Sequence, residues 1–281
     1  MQTSTLKLLR FPFSIFLMPV SFFSLSVAND INWLQAIFAF ILIHLLLYPA
    51  SNGYNSFMDN DTGSIGGLET PPPPTKELFY VSLIMDLAGL LLSWLISVPF
   101  FIAYLVYIIF SRAYSYRRIR LKKYPIAGYL TVIINQGALV FFMMWNASGQ
   151  VETPPVLCLI SATLLIGGFY PMTQIYQHEQ DARDGVKTIS MLLGIRGSFT
   201  FCLAINTLAF IILSYYYLST DSFLPLLILL ICVSPVLVYF YRWMKICIKN
   251  EREASFLRTM YLNRLASFCT STGFIINILL K

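Results

Sequence analysis

Nine apolar runs are spaced along this chain, at 11–28, 32–50, 78–97, 99–111, 126–146, 155–175, 198–218, 223–241 and 259–279. Several approach or exceed the roughly 18 residues that carry a helix across a bilayer. The polar segments between them alternate in kind: short ones, then longer ones rich in charge. The stretch 78–111 divides into two crossings if the chain turns near Pro99, leaving the second helix short. The first run follows a basic N-terminal stretch and is read as a membrane helix rather than a cleaved leader, although small residues precede Asn29.

Composition agrees with the pattern. Hydrophobic residues make up 57% of the chain and charged ones 11%, with a mean hydropathy of +0.70, far from a soluble globular domain. Cys158, Cys202, Cys232, Cys247 and Cys269 show no CxxC spacing, four in apolar runs and Cys247 in a basic loop, so they read as small hydrophobes.

The net charge of +6 could suggest nucleic acid, but its placement speaks for topology instead. With the N-terminus cytoplasmic, 17 of the 19 basic residues fall in the inner segments 1–10, 51–77, 112–125, 176–197 and 242–258. That asymmetry is the positive-inside pattern, and an odd number of crossings satisfies it. The expected setting is the inner membrane of a bacterium, with membrane lipid around the chain and no nucleic acid bound.

Acidic residues do little to orient a membrane protein, so their concentration in two inner loops needs another reason. In loop 51–77, Asn52, Asn55 and Asp59 follow one another at spacings of three and four; if the helix before them continues, they share one face. Asp61 comes just after. Oxygen donors without cysteine suit a hard cation such as Mg2+, though Asn, Asp and Gly are also ordinary turn formers. Loop 176–197 holds Tyr176, Gln177, Glu179, Asp181 and Asp184, then Lys187, and on a helix Gln177 and Asp181 share a face. Loop 112–125, "RAYSYRRIRLKKY" with its closing proline, carries Tyr114, Arg120 and Lys122. It could simply orient the chain or hold anionic lipid. Beside two carboxylate clusters it also makes a place for a metal-bridged polyanion, diphosphate foremost.

Three motifs together, N-x-x-N-S-x-x-D at Asn52–Asp59, YSYRRIRLKKYP at 114–125 and D-x-x-x-G-x-K-T at Asp181–Thr188, resemble the UbiA superfamily of intramembrane prenyltransferases, in a divergent subgroup. The resemblance implies one all-α, polytopic domain over residues 1–281, with about nine transmembrane helices around a central cavity capped by cytoplasmic loops. It implies Mg2+-assisted transfer of a prenyl group from a prenyl diphosphate to an aromatic or other lipophilic acceptor. Asp59, Asp181 and Lys122 are then the catalytic residues. Asn52, Tyr114, Arg120, Lys122, Tyr176 and Lys187 meet the diphosphate, and Asn55, Asp59, Asp61, Glu179 and Asp181 hold the metal. Three positions depart from the family pattern: Ser56 and Gly63 stand where the first motif often has aspartates, and Gln177 where the second has its earlier one. Asp61 and Glu179 are the nearest spare carboxylates.

Asp86, His44 and the pair Asn135–Gln136 lie within apolar runs. Polar groups so placed face a cavity or a neighbouring helix. Two rival readings are open. A CDP-alcohol phosphotransferase needs D-x-x-D-G-x-x-A-R, whose letters "DARDG" holds in the wrong order. A transporter or lipid-binding scaffold leaves the paired acidic loops without a reason, and Pro99 is its one hint of a broken helix.

Overall fold

The computed structural model describes all 281 residues and is helical throughout, with a single isolated β-bridge between Ile65 and Leu68. We number the helices α1 (Thr3–Val27), α2 (Trp33–Asp59), α3 (Lys76–Ser93), α4 (Val98–Ser115), α5 (Pro125–Ala147), α6 (Val156–Thr173), α7 (His178–Arg183), α8 (Ile189–Ser219), α9 (Phe223–Lys249) and α10 (Phe256–Leu279). Every expected apolar run falls within one of them to within a few residues at its ends, and Pro99 lies in the first turn of α4, where a missing N–H costs nothing.

Length and composition do not confirm the count of nine crossings. Seven of these helices are long and apolar enough to cross a membrane; α3 and α10 are not among them. The reason is composition. Helix α3 carries Lys76, Glu77 and Asp86, and α10 carries Arg258, Arg264, Asn263 and Asn277 among its apolar residues. Outward-facing Leu34, Ile84, Leu91, Ile211 and Phe268 are largely exposed, as side chains meeting lipid are. The protein is integral to a membrane.

The helices form a closed ring. Helix α10 packs on α1 and α9, α9 on α8, α8 on α6, and α6 on α5; α5 meets both α1 and α4, and α2 packs on α3 and α4. Two rods contain a π-helical turn in mid-span, Leu42–Leu47 in α2 and Ile134–Leu139 in α5. Such turns hold an extra residue per turn and often mark functional positions. The first places His44 between Ser21 Oγ and Ser14 O, each at 3.1 Å, so His44 is a satisfied core residue joining α2 to α1. The second turns Asn135 and Gln136 into the interior. Gly137 makes that crossing possible, because a methyl group there would lie 2.5 Å from the Thr163 Cα of α6.

Asp86 faces a neighbouring helix too. It forms a mostly buried ion pair with Arg112 of α4, whose guanidinium also lies 3.9 Å from the centre of the Tyr54 ring. All five cysteines are free; Cys247 lies fully buried within α9, not in a loop, because α9 continues past the apolar run to Lys249.

Candidate functional site: a charged cavity above an apolar one

Helix α2 runs on through the first acidic segment. It ends at Asp59 because Asn60 adopts a left-handed conformation (φ 53°), which asparagine tolerates at a helix end. Asn52, Asn55 and Asp59 therefore do share a face, and all three line one cavity of about 180 Å³. Asn55 Nδ2 donates to Asp59 Oδ2 at 2.8 Å and to Ser115 Oγ of α4 at 2.9 Å, which fixes both side chains.

The basic segment reaches the same cavity by a sharp turn. Arg120 has φ 50°, and its backbone N–H donates to Tyr116 O at 2.7 Å. Just beyond this turn Lys122 points inward, its Nζ 2.6 Å from Asp59 Oδ2, with the two side chains 10% and 3% exposed. Arg120 does not line the cavity. It stands behind it, ion-paired with Asp184 and 3.9 Å from Asp59 Oδ1. Tyr114 does line it, and its hydroxyl meets that of Tyr170 at 2.5 Å.

Helix α7 supplies the opposite wall. Gln177, Gln180 and Asp181 face inward, as their spacing of three and four requires. Gln180 Nε2 donates to Asp61 Oδ1 at 2.5 Å, tying the two acidic segments together. Tyr176 lines the cavity beside them, and burial raises its hydroxyl pKa.

Two further sequence assignments, beside that of Arg120, need correction. Glu179 sits two residues from Asp181, on the far side of the helix; its side chain is 92% exposed and pairs with Arg183 at 3.8 Å. Lys187 lies in the extended stretch after α7, where successive side chains alternate. Val186 and Thr188 are buried in the cavity wall, whereas Lys187 is exposed.

The departures from the motif now have physical content. Ser56 is buried outside the cavity. At Gly63 a methyl group would stand 2.4 Å from Gln180 Oε1, so a side chain there has to displace the Gln180 amide that bonds Asp61. Gln177 donates to Ser64 O at 2.9 Å and pins the same loop.

Sequence reasoning missed Arg10. It is 8% exposed, adopts φ 51° and interrupts α1. Its guanidinium donates to Gly66 O and Asn52 O, each at 3.2 Å, and borders the cavity. Its only signal in the chain was a cation at the edge of an apolar run, which looks the same as an orienting charge.

Burial governs the electrostatics. Asp61 is pushed up to about 6, first by desolvation and then by the nearby Asp59 charge. Asp181 is pushed up to about 7 by desolvation, against the pull of Lys122 and with help from Asp61 and Asp59. Desolvation lowers the pKa of His178, which is bonded to Ser190 Oγ at 2.8 Å and takes no part in the cavity.

Several observations bear on a metal. Asp59 Oδ1 is buried without a hydrogen-bond partner, and the cavity's carboxylates and amides are all oxygen donors of the hard kind. No three acidic, histidine or cysteine side chains converge on a single point. Mg2+ suits such a place, because it usually takes only one or two carboxylates and completes its shell with water and phosphate oxygens.

Below the charged cavity lies a second one of about 170 Å³, lined mostly by hydrophobic side chains and by no charged residue. Phe13, Gln136, Tyr170 and Thr173 border both. A charged chamber and an apolar one thus meet across a neck of two aromatic rings, an amide and a hydroxyl.

This architecture is that of the UbiA proteins. The profile of the UbiA prenyltransferase family matches residues 16–265, and the chain belongs to that family. The fold superimposes on a UbiA homolog from Archaeoglobus fulgidus bound to GPP and Mg2+, with a TM-score of 0.72 at 18% identity, covering 98% of this chain and 99% of that one. It is similar as well to the apo structure of a UbiA homolog from Aeropyrum pernix K1, with a TM-score of 0.69 at 15% identity, covering 94% and 98%. Among curated proteins, naringenin 8-dimethylallyltransferase 2, chloroplastic, of Sophora flavescens is 24% identical over 201 residues. That match covers 66% of this chain and 48% of the relative, so the chain spans about half the length of the curated relative it matches.

Proposed function

We propose that this protein transfers a prenyl group from a prenyl diphosphate to a lipophilic acceptor within the membrane, with Mg2+ in the charged cavity. The observation that carries the reading is the junction of the two cavities. A molecule with a doubly charged head and a hydrocarbon tail fits across it, with its C1 carbon at the neck. The relatives support the choice, one being named a dimethylallyltransferase of an aromatic compound and another solved with a prenyl diphosphate and Mg2+.

Asp59, Asp61, Asp181 and Asn55 are the set from which one or two carboxylates would hold the metal, which when bound neutralises charge developing on the departing diphosphate. Lys122 and Arg10 border the same space and add fixed positive charge. Asn52, Tyr114 and Tyr176 contribute donors around the phosphates, and Arg120 holds Asp184 and Asp59 in register from behind. The bond from C1 to the diphosphate oxygen breaks with its electron pair leaving on oxygen. C1 then bonds the nucleophilic atom of the acceptor, which gives up a proton. Cationic character at C1 falls between the Phe13 and Tyr170 rings, whose faces attract positive charge.

The charged end of the bundle faces the cytoplasm under this reading, and the membrane is a bacterial inner membrane; the clustering of basic residues around the site supports the orientation. The test is diphosphate release by the purified protein, in lipid or detergent, from a panel of allylic diphosphates with candidate acceptors. Release that needs Mg2+ and yields a prenylated acceptor is the expected result; a folded protein that releases nothing from any donor overturns the reading.

A further inference from the structure

We infer that Asn135 and Gln136, on the π-helical turn of α5, bind the acceptor together with Tyr107 of α4, and that the acceptor is an uncharged phenol rather than a carboxylate. The inference rests on the prenyl-transfer reading and adds the chemical class of the second substrate.

The larger polar cavity has a neutral wall as well as a charged one. Ser51, Tyr107, Ser111, Thr131, Asn135 and Gln136 all line it, and none carries a charge. Ser51 lies eight residues before Asp59 on α2, and Tyr107 eight before Ser115 on α4, the residue that bonds Asn55. Along a helix that is about 12 Å, so the neutral wall stands deeper in the bundle than the carboxylate Asp59. Ser51 Oγ and Ser111 Oγ are 2.7 Å apart, and the Tyr107 hydroxyl lies beside Ser51 and Gln136.

The π-helical turn brings two consecutive amides to this wall. Neighbours on an α-helix point about 100° apart, and the wider turn at Ile134–Leu139 closes that angle. Asn135 is only 6% exposed, borders the cavity and bonds to no protein group. An amide offers donors and an acceptor, and leaving them unpaired when buried is costly; a ligand hydroxyl supplies what the protein does not. Gln136 borders both cavities, so it stands at the neck, where C1 of the donor lies. The Phe13 and Tyr170 rings at the same neck suit an aromatic acceptor, which stacks on them.

Charge decides the class. Arg112 is bound to Asp86, Lys122 to Asp59, and both terminal nitrogens of Arg10 to backbone carbonyls. A carboxylate held by the two amides gives up hydration without gaining a counter-charge, which costs far more than burying a hydroxyl. The amides take no proton during transfer. They orient the acceptor beside C1.

The deciding experiment supplies acceptors as matched pairs, the carboxylate and its methyl ester, of a hydroxybenzoate, a dihydroxybenzoate and a dihydroxynaphthoate, with an allylic diphosphate as donor. Prenylated product and KM are measured for the wild type, Asn135→Leu, Gln136→Leu and Gln136→Arg. The wild type is expected to use the esters at least about tenfold better than the acids, as a site of fixed polarity discriminates. Asn135→Leu and Gln136→Leu raise the KM for the esters by about tenfold, the scale of a lost hydrogen bond to a buried group, and raise the donor KM much less. Gln136→Arg supplies the missing counter-charge and shifts preference towards the acids. Esters partition into detergent more than acids do, but equally for all four proteins, so the shift between proteins reads the site. Thermal unfolding identifies any variant that fails to fold, and the wild-type ratio needs no variant.

A wild type that uses the acids as well as the esters, diphosphate release with no ester prenylated, or folded variants with unaltered acceptor KM overturns this assignment and leaves ionisation of the donor standing. Absence of diphosphate release from every donor overturns the prenyl-transfer reading and this inference with it.

Discussion

The two acidic segments reach the same cavity by different structural means. Asn52–Asp59 is the last stretch of a membrane helix. Its final carboxylate is almost fully buried and bound by Lys122, and Asn55 anchors it to α4 through Ser115. Gln177–Asp184 depends on a six-residue helix at the surface, attached mainly through Gln177, Gln180 and the Arg120–Asp184 pair. One segment is built into the core and the other lies over it. Local stability follows buried contacts, so the first segment is the fixed half of the site and the second is the half suited to opening and closing on a substrate.

The largest effect expected from this difference is at Asp59. Asp59→Asn leaves the Lys122 charge buried without its partner, a loss on the order of 3–5 kcal/mol in such pairs. Both activity and thermal stability are expected to fall, and unfolding in detergent alongside diphosphate release checks this. Unchanged stability would show the pair to be solvated.

Asp181→Asn is next. It is expected to reduce diphosphate release by about a hundredfold or more, as loss of a transition-state contact does, with a stability change within about 1 kcal/mol, since its carboxyl has no ion-pair partner within 4 Å. An equal stability loss in both variants would erase the contrast between the two segments.

A smaller, graded effect concerns pH. Asp181 at about 7 and Asp61 at about 6 hold protons at mildly acidic pH, and a metal must displace them. The Mg2+ concentration for half-maximal activity is therefore expected to rise as pH falls from 8 to 6, by up to about tenfold per pH unit for each proton displaced. The metal-free protein follows the opposite sign. Because these carboxyls have raised folded-state values, folding takes up protons, and stability increases as pH falls from about 7 towards the ordinary carboxylate range. Titrating activity against Mg2+ at several pH values, with unfolding in chelator, reads both trends.

The smallest effects belong to the outer face of α7 and the extended stretch after it. Glu179→Gln and Lys187→Ala are expected to change activity less than about twofold and stability by less than about 0.5 kcal/mol, as exposed charges do. A large loss of Mg2+ dependence in Glu179→Gln would mean that α7 turns when substrate binds.

Much of this was legible in the residues. The spacing of Asn52, Asn55 and Asp59 identified a helical face, and that face lines the cavity. For the second segment the same arithmetic placed Gln177 with Asp181 and, followed through, excludes Glu179 from their side. Spacing said nothing of Lys187, whose direction is set by the extended chain between Val186 and Thr188. His44, Asp86 and Gln136 looked alike as polar residues in apolar runs. Their neighbours separated them: Ser21 and Ser14 for His44, Arg112 for Asp86, and open space on two sides for Gln136.

What the sequence alone determined is what local periodicity and charge carry: helices, their membrane setting, the end of the bundle that bears the charge, and the family motifs. Those properties are set by residues close together in the chain. The tertiary structure alone decided that Arg10 joins the site across α2 and the following loop, that Gly63 lies against the Gln180 amide, and that Phe23 and Phe274 stack some 250 residues apart in the chain. Contacts of that kind depend on how helices cross, and no periodicity within a single segment records the crossing.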